Sequence, residues 1–252
     1  MKKKILFVFG TRPEAIKLAP LIKEFQKNKD YFDVHVVSTG QHKEMLDQVI
    51  DFFDIGVDCE LQLMSKNQSL NELSSKILNS LKGVLDNEKP DYVFVHGDTT
   101  TTAFASIASF YNQIKVCHIE AGLRTFDKYS PFPEEINRSI AGKIADLHFA
   151  PTEQAAQNLI NENVDKKSII ITGNTVIDAL IDGIKITKNY NNNEIEVLKK
   201  IISNDRKIIL ITGHRRENFG SGFKNICNAI LEISEDPNID IIYPVHLNPN
   251  VK

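Results

Sequence analysis

Three segments between Val93 and Arg138 decide the fold. They read Val93-Phe94-Val95-His96-Gly97-Asp98 followed by threonine to Thr102, Val116-Cys117-His118-Ile119-Glu120-Ala121-Gly122-Leu123-Arg124-Thr125, and Pro131-Phe132-Pro133-Glu134-Glu135-Ile136-Asn137-Arg138. The runs 92–95 and 116–119 are apolar on both faces and separated by a helix-length segment, which predicts buried parallel strands. Each run ends in a carboxylate, Asp98 and Glu120, and Glu134-Glu135 open a helix behind two prolines. In a doubly wound sheet, residues just past the carboxyl ends of strands line the ligand crevice, so three carboxylates are expected to meet there. Asp98 or a threonine after it would also serve as a helix N-cap, and acidic residues suit a first turn. Glu120 resists so plain a role, because a carboxylate at a buried strand end needs a partner. His96/Asp98 and His118/Glu120, each pair two apart on one strand face, raise a metal site. Core histidines are the simpler reading, and no metal is expected.

Outward from this stretch, strand and helix alternate along the chain. Ile5–Phe9 is predicted as the first strand, ending in Gly10-Thr11-Arg12-Pro13-Glu14. Thr11 and Glu14 have capping-box spacing, and Pro13 suits a first turn. The helix start then faces the crevice as an anion site, flanked by Arg12 and Lys17. Further strands are expected at 34–37, 147–150 and 169–171, and helices at 43–53, 103–111, 134–145 and 175–186. Ser69 and Glu72 form a second capping box before an apolar stripe from Leu70 to Leu85. The asparagine-rich segment 188–193 reads as a solvated boundary. Beyond it come a helix at 193–203, strands at 208–211 and 239–245, and a helix at 223–233. The fold class is therefore α/β with two Rossmann-like lobes. Residues 1–172 form the first, 173–206 connect, and 207–252 begin the second. One helix covers few strand faces, so this second lobe is expected to be incomplete and unstable alone.

With 30 basic against 33 acidic residues, formal net charge is only −3, which offers no nucleic-acid footprint. Cys59, Cys117 and Cys227 are scattered without metal spacing, as in a reducing cytoplasm. No apolar run reaches the length of a membrane span, so no membrane partner is expected. G-x-G-x-x-G after the first strand, G-x-x-x-x-G-K-[ST], H-E-x-x-H and G-x-S-x-G are all absent.

The motifs above, with Phe9-Gly10-Thr11-Arg12-Pro13-Glu14-Ala15-Ile16-Lys17, Thr172-Gly173-Asn174-Thr175, Thr212-Gly213-His214-Arg215-Arg216-Glu217-Asn218 and His246-Leu247-Asn248-Pro249-Asn250, closely resemble the non-hydrolysing UDP-N-acetylglucosamine 2-epimerases. The resemblance spans the whole chain and implies a GT-B-like pair of lobes with a UDP-sugar between them. It implies inversion at C2 through loss and re-addition of UDP, without a cofactor, in a cytoplasmic homodimer that supplies cell-surface polysaccharide precursors. Asp98, Glu120 and Glu134 match the family's acid/base positions, and which abstracts first stays open. His214, Arg12 and Lys17 match positions serving the leaving group, with Arg138 and His246 as further substrate contacts. Gln41 and His42 match part of an activator site for a second UDP-N-acetylglucosamine, from which Asn67 and Glu44 depart. Members of the family continue beyond this chain's last residue. An epimerase of another UDP-2-acetamido sugar, a two-lobed glycosyltransferase, and a fragment that binds nucleotide or a partner without catalysis are the alternatives.

Overall fold

The computed structural model of the chain describes residues 2–40, 43–65, 68–202, 205–212 and 221–244. It divides into two compact units, Met1–Lys188 and Asn189–Lys252. The division falls in the asparagine-rich segment.

The first unit runs β1 (Lys3–Phe9), α1 (Arg12–Lys27), β2 (Phe32–Ser38), α2 (Lys43–Phe53), β3 (Cys59–Glu60), α3 (Leu70–Glu88), β4 (Tyr92–His96), α4 (Thr100–Tyr111), β5 (Lys115–Ile119), α5 (Glu134–Ile144), β6 (Leu147–Ala150), α6 (Glu153–Asn161), β7 (Ile169–Ile171) and α7 (Val176–Thr187). All seven strands are parallel, in the order β3-β2-β1-β4-β5-β6-β7. Chain order reverses between β1 and β4, which makes their carboxyl ends the switch point where such sheets open a crevice. The two-residue edge strand β3 had no sequence signal; it is too short for any period to register.

Alternation along β1 explains the layering. Ile5, Phe7 and Phe9 face one core with Leu18, Ile22, Leu46 and Phe94, whereas Leu6 and Val8 face the other with Leu73, Ile77, Leu81 and Val93. A strand buried on both faces reads as one continuous apolar run, so 5–9 showed no period of two. On the first face, Phe25 packs edge-on against Phe7, Phe32 and Phe94, at centroid distances of 5.6, 4.6 and 5.3 Å. Aromatic pairs of this kind contribute about 0.5–1.5 kcal/mol each beyond their burial.

Both capping boxes form, at Thr11/Glu14 and Ser69/Glu72, and Thr99 and Thr152 cap α4 and α6 through their hydroxyls. The helix expected to lie in a connecting segment, 173–206, is α7, which packs on α1 and α2 of the first unit. Ala179 of α7 is buried in the same cluster as Leu18 and Phe53, and that contact carries the unit past residue 172 to Lys188.

The second unit holds α8 (Asn193–Ile201), β8 (Lys207–Leu210), α9 (Ser221–Ser234) and β9 (Ile239–Ile242). β8 and β9 pair in parallel with Ile208 opposite Asp240. Ile208 and Leu210 are 52% and 63% exposed, as one covering helix for two strands predicts. Among the described residues no helix is long and apolar enough to cross a membrane.

Candidate active site

Strand register brings the carboxylates together. β4 pairs with β5 so that His96 lies opposite Ile119, and Gly97 N–H donates to the Ile119 carbonyl at 2.9 Å. Asp98 and Glu120 therefore leave adjacent strands at the same level. Glu120 has φ +62°, a left-handed conformation that a non-glycine residue adopts only when its surroundings hold it there. Two contacts hold it. Lys17 Nζ lies 2.6 Å and Asn174 Nδ2 2.8 Å from Glu120 Oε2. Gly122, at φ +87°, follows; a Cβ there would fall 2.1 Å from the Ala155 carbonyl oxygen. Only glycine fits.

Asp98 is held from α5. Its side chain pairs with Arg138 Nη2, and its carbonyl accepts from Asn137 Nδ2 at 3.0 Å. Arg138 Nη1 also reaches Glu135 Oε2 at 3.4 Å. The two glutamates that open α5 have separate fates. Glu135 is buried and accepts from the backbone N–H groups of Thr125 and Phe126, so it builds the loop before the helix. Glu134 keeps Oε2 buried with no hydrogen-bond partner among the described residues. Burial raises the Asp98 carboxyl above its usual range; Arg138 opposes this, and the charges of Glu134 and Glu120 add to it. A carboxyl whose proton is retained more readily by burial and by neighbouring carboxylates suits acid/base work at Asp98.

His96 and His118 are both buried, and burial pushes each down to about 3, so both are neutral. His118 Nε2 donates to the Gly97 carbonyl at 2.7 Å, which fixes the turn before Asp98. His96 Nε2 is buried with no hydrogen-bond partner among the described residues, 3.9 Å from Glu120 Oε2. Among the described residues no group of three or more His, Cys, Asp or Glu side chains is arranged to hold a metal ion.

The structure thus places Asp98, Glu120, Arg138 and Lys17 in contact pairs, with Glu134 close enough to act on Asp98. Lys17, matched to the anion end, reaches a carboxylate instead. Arg12 is exposed at the first residue of α1. His214, His246, Gln41 and His42 lie outside the described residues. Sequence reasoning missed Asn174 as a partner of Glu120: it read Asn174 as the helix cap, whereas the N-cap position of α7 is Thr175 and Asn174, one residue earlier, accepts from Val176 N–H through Oδ1, a local contact that concealed the second one. It also missed the reach of Glu14, whose carboxylate extends beyond its own helix start to Thr99. A spacing rule sees only local partners.

The chain is similar to known proteins along its whole length. The family model described as UDP-N-acetylglucosamine 2-epimerase matches residues 23–252. The UDP-N-acetylglucosamine 2-epimerase of Campylobacter jejuni is 52% identical over 258 residues, covering 100% of this chain and 67% of the relative. That of Salmonella typhimurium is 52% identical, covering 98% and 66%. Among solved structures, the UDP-GlcNAc 2-epimerase from Neisseria meningitidis bound to UDP-GlcNAc superimposes with a TM-score of 0.88 at 50% identity, over 98% of this chain and 67% of that one. The Methanocaldococcus jannaschii UDP-GlcNAc 2-epimerase in complex with UDP-GlcNAc and UDP gives 0.79 at 34% identity, over 98% and 67%. The chain spans about two thirds of the length of the relatives it matches. At such identity across its whole length, the chain belongs to the UDP-N-acetylglucosamine 2-epimerase family.

Proposed function

We propose that this chain carries the proton-transfer site of an enzyme that interconverts UDP-N-acetylglucosamine and UDP-N-acetylmannosamine. The observation that carries the reading is the convergence of Asp98, Glu120 and Glu134 at the carboxyl ends of β4 and β5 and the start of α5. Inverting C2 requires a base to take the proton from one face and an acid to return one to the other. In the proposed sequence a carboxylate removes the C2 proton while the C1–oxygen bond to UDP breaks, leaving a glycal and free UDP. UDP then adds back at C1 while a carboxylic acid on the opposite side protonates C2. Substrate and product differ only in configuration, so no oxidant or second substrate is consumed.

Each group has a place in this scheme. Lys17 and Asn174 hold one oxygen of Glu120, which leaves Oε1 for the proton. Arg138 holds Asp98 in the same way. The N-terminus of α1 with Arg12 suits the diphosphate, because the positive end of the helix dipole and a guanidinium both favour anions. His214 and His246 join the leaving-group side on family resemblance, and the same resemblance supports a homodimer and, with three free cysteines, a cytoplasmic setting.

Incubation of the purified protein with UDP-N-acetylglucosamine in deuterated water tests the reading. Deuterium at C2 together with UDP-N-acetylmannosamine is expected. Release of sugar without C2 exchange would point to transfer or hydrolysis, and exchange only with another UDP-2-acetamido sugar would move the substrate. Binding of UDP with no exchange on any such sugar would leave a nucleotide-binding chain.

A further inference from the structure

We propose that Glu14 is a positioning residue that locks the turn after β1 to the turn after β4, and so sets where Arg12 and Asp98 stand in the crevice. The kinetic part of this inference rests on the epimerase reading; the structural part does not.

Glu14 is 2% exposed, and its two carboxylate oxygens divide their partners between the two turns. Oε2 accepts from Gly10 N–H at 3.1 Å, Thr11 N–H at 2.8 Å and Thr11 Oγ1 at 2.7 Å. Oε1 accepts from Thr99 Oγ1 at 2.8 Å, across to the neighbouring strand's turn. Arg12 follows the first set of donors in sequence, and Asp98 immediately precedes Thr99. The Gly10 and Thr11 N–H groups can only donate, so Oε2 is held by fixed backbone donors while Oε1 is held from the other turn.

A capping box alone does not require this arrangement. The chain contains a second box with the same spacing, Ser69/Glu72, and there Glu72 is exposed and serves only its own helix start. Its carboxyl is lowered by the Ser69 donors, as expected for a cap in water. Glu14 is raised by burial despite its donors. Desolvating a carboxylate is costly, and capping gives no reason to do so. The added contact, Thr99, belongs to the switch point where β1 and β4 part. Thr102 strengthens the same turn: its hydroxyl lies within hydrogen-bond reach of both the His96 carbonyl and, at 3.3 Å, Glu14 Oε1, and its N–H donates to Thr99 Oγ1.

The test uses the intact protein and four variants: Thr99→Ser, Thr99→Asp, Glu14→Gln and the Thr99→Asp/Glu14→Gln pair. Aspartate keeps the α4 cap but sets a second carboxylate against Glu14. Glutamine can keep its oxygen on Gly10 and Thr11 and turn its NH2 toward Asp at 99. Expected are wild-type kcat for Thr99→Ser, a loss of about 10-fold or more for Thr99→Asp with KM changed less than about 3-fold, and recovery in the pair. Amide hydrogen exchange supplies a readout independent of turnover. Thr99→Asp should expose the Gly10 and Thr11 amides, which lie on a different turn, while Val93–Val95 stay protected, and the pair should close them again. Wild-type kcat and protection in Thr99→Asp, or no recovery in the pair, would overturn the clamp. If Glu14→Gln does not fold, the Gly10 and Thr11 amides in Thr99→Asp decide: opened supports, unchanged overturns. A wild-type protein that leaves C2 unexchanged would defeat the epimerase reading, whereas the exchange pattern would still judge the clamp.

Discussion

Lys17 Nζ sits 2.6 Å from Glu120 Oε2, so a side chain from the helix after β1 reaches past β4 to the end of β5. The lysine side chain is 22% exposed and the glutamate 10%, which removes most of the solvent that would screen the pair. A charge contact of this kind orients one carboxylate oxygen and leaves the other for chemistry. Glu120→Gln, Asp98→Asn and Glu134→Gln should each lower turnover by about 10²-fold or more while the melting temperature moves little. Steady-state kinetics beside calorimetry checks this. Normal turnover in Glu120→Gln would remove that residue from the proton path.

Arg138 supplies the charge that opposes the upward push of burial on Asp98. Arg138→Met should therefore raise the Asp98 carboxyl further, because the carboxylate form loses its cation. A step that needs the carboxylate then requires higher pH, and the acid limb of kcat/KM should move to higher pH. An acid limb that stays in place, in a variant that still turns over, would assign that limb to another group.

Which parts of this site were legible follows from the range of each signal. Elements 5–9, 92–95 and 116–119 announced themselves because burial on both faces demands unbroken apolar runs. Glu120 stood out because a carboxylate after such a run has few structural uses, whereas Asp98 and Glu134 also read as a helix cap and a first-turn acid and were singled out by the family resemblance. The Glu135 contacts to Thr125 and Phe126 cross an irregular loop, and the reach of Glu14 to Thr99 joins residues 85 positions apart. No local pattern encodes them. Lys17 was expected at the anion end, and its contact with Glu120, 103 positions away, went unseen for the same reason.

The buried histidines give stability a pH dependence. His118 is pushed down to about 3 by burial, against 6.5 in the unfolded chain. Between those values the unfolded state binds the proton and the folded state does not, so stability falls as pH falls below about 6.5. For a single histidine the loss from pH 7 to pH 5 is at most about 2 kcal/mol. His118→Gln keeps a donor for the Gly97 carbonyl and removes the titration. Urea unfolding at the two pH values should show a smaller difference in the variant, and an equal difference would place the sensitivity elsewhere.

Gly122 and Gly56 make a matched pair. A Cβ at Gly122 would meet the Ala155 carbonyl oxygen at 2.1 Å and its carbon at 2.8 Å, on a backbone at φ +87°. Gly56 has no atom within 4 Å of such a Cβ. Gly122→Ala should cost about 3 kcal/mol or more, since neither the helix backbone of α6 nor the turn has room to move, while Gly56→Ala should stay within about 1 kcal/mol of wild type. Thermal melts of the two variants side by side give the comparison, and similar melting temperatures would show that the 121–124 turn is not fixed by this contact.

Asn174 separates capping from catalysis. Its Oδ1 accepts from Val176 N–H at 3.0 Å, and its Nδ2 donates to Glu120 Oε2 at 2.8 Å. Aspartate at this position keeps the acceptor, and a helix start tolerates it well. It replaces the donor with a negative oxygen beside Glu120, however, and two carboxylate oxygens at hydrogen-bond distance repel. Glu120 would have to take up a proton or turn away, and either removes the geometry that Lys17 and Asn174 set together. Asn174→Asp should therefore melt near the wild-type temperature yet lose about 10-fold or more in kcat. Asn174→Ala should lose the cap, about 1 kcal/mol of stability, and show a smaller kinetic defect, because it removes a donor without adding a charge. A larger loss of kcat in the alanine variant than in the aspartate one would mean that Asn174 serves the helix and that Glu120 takes its orientation from Lys17 alone.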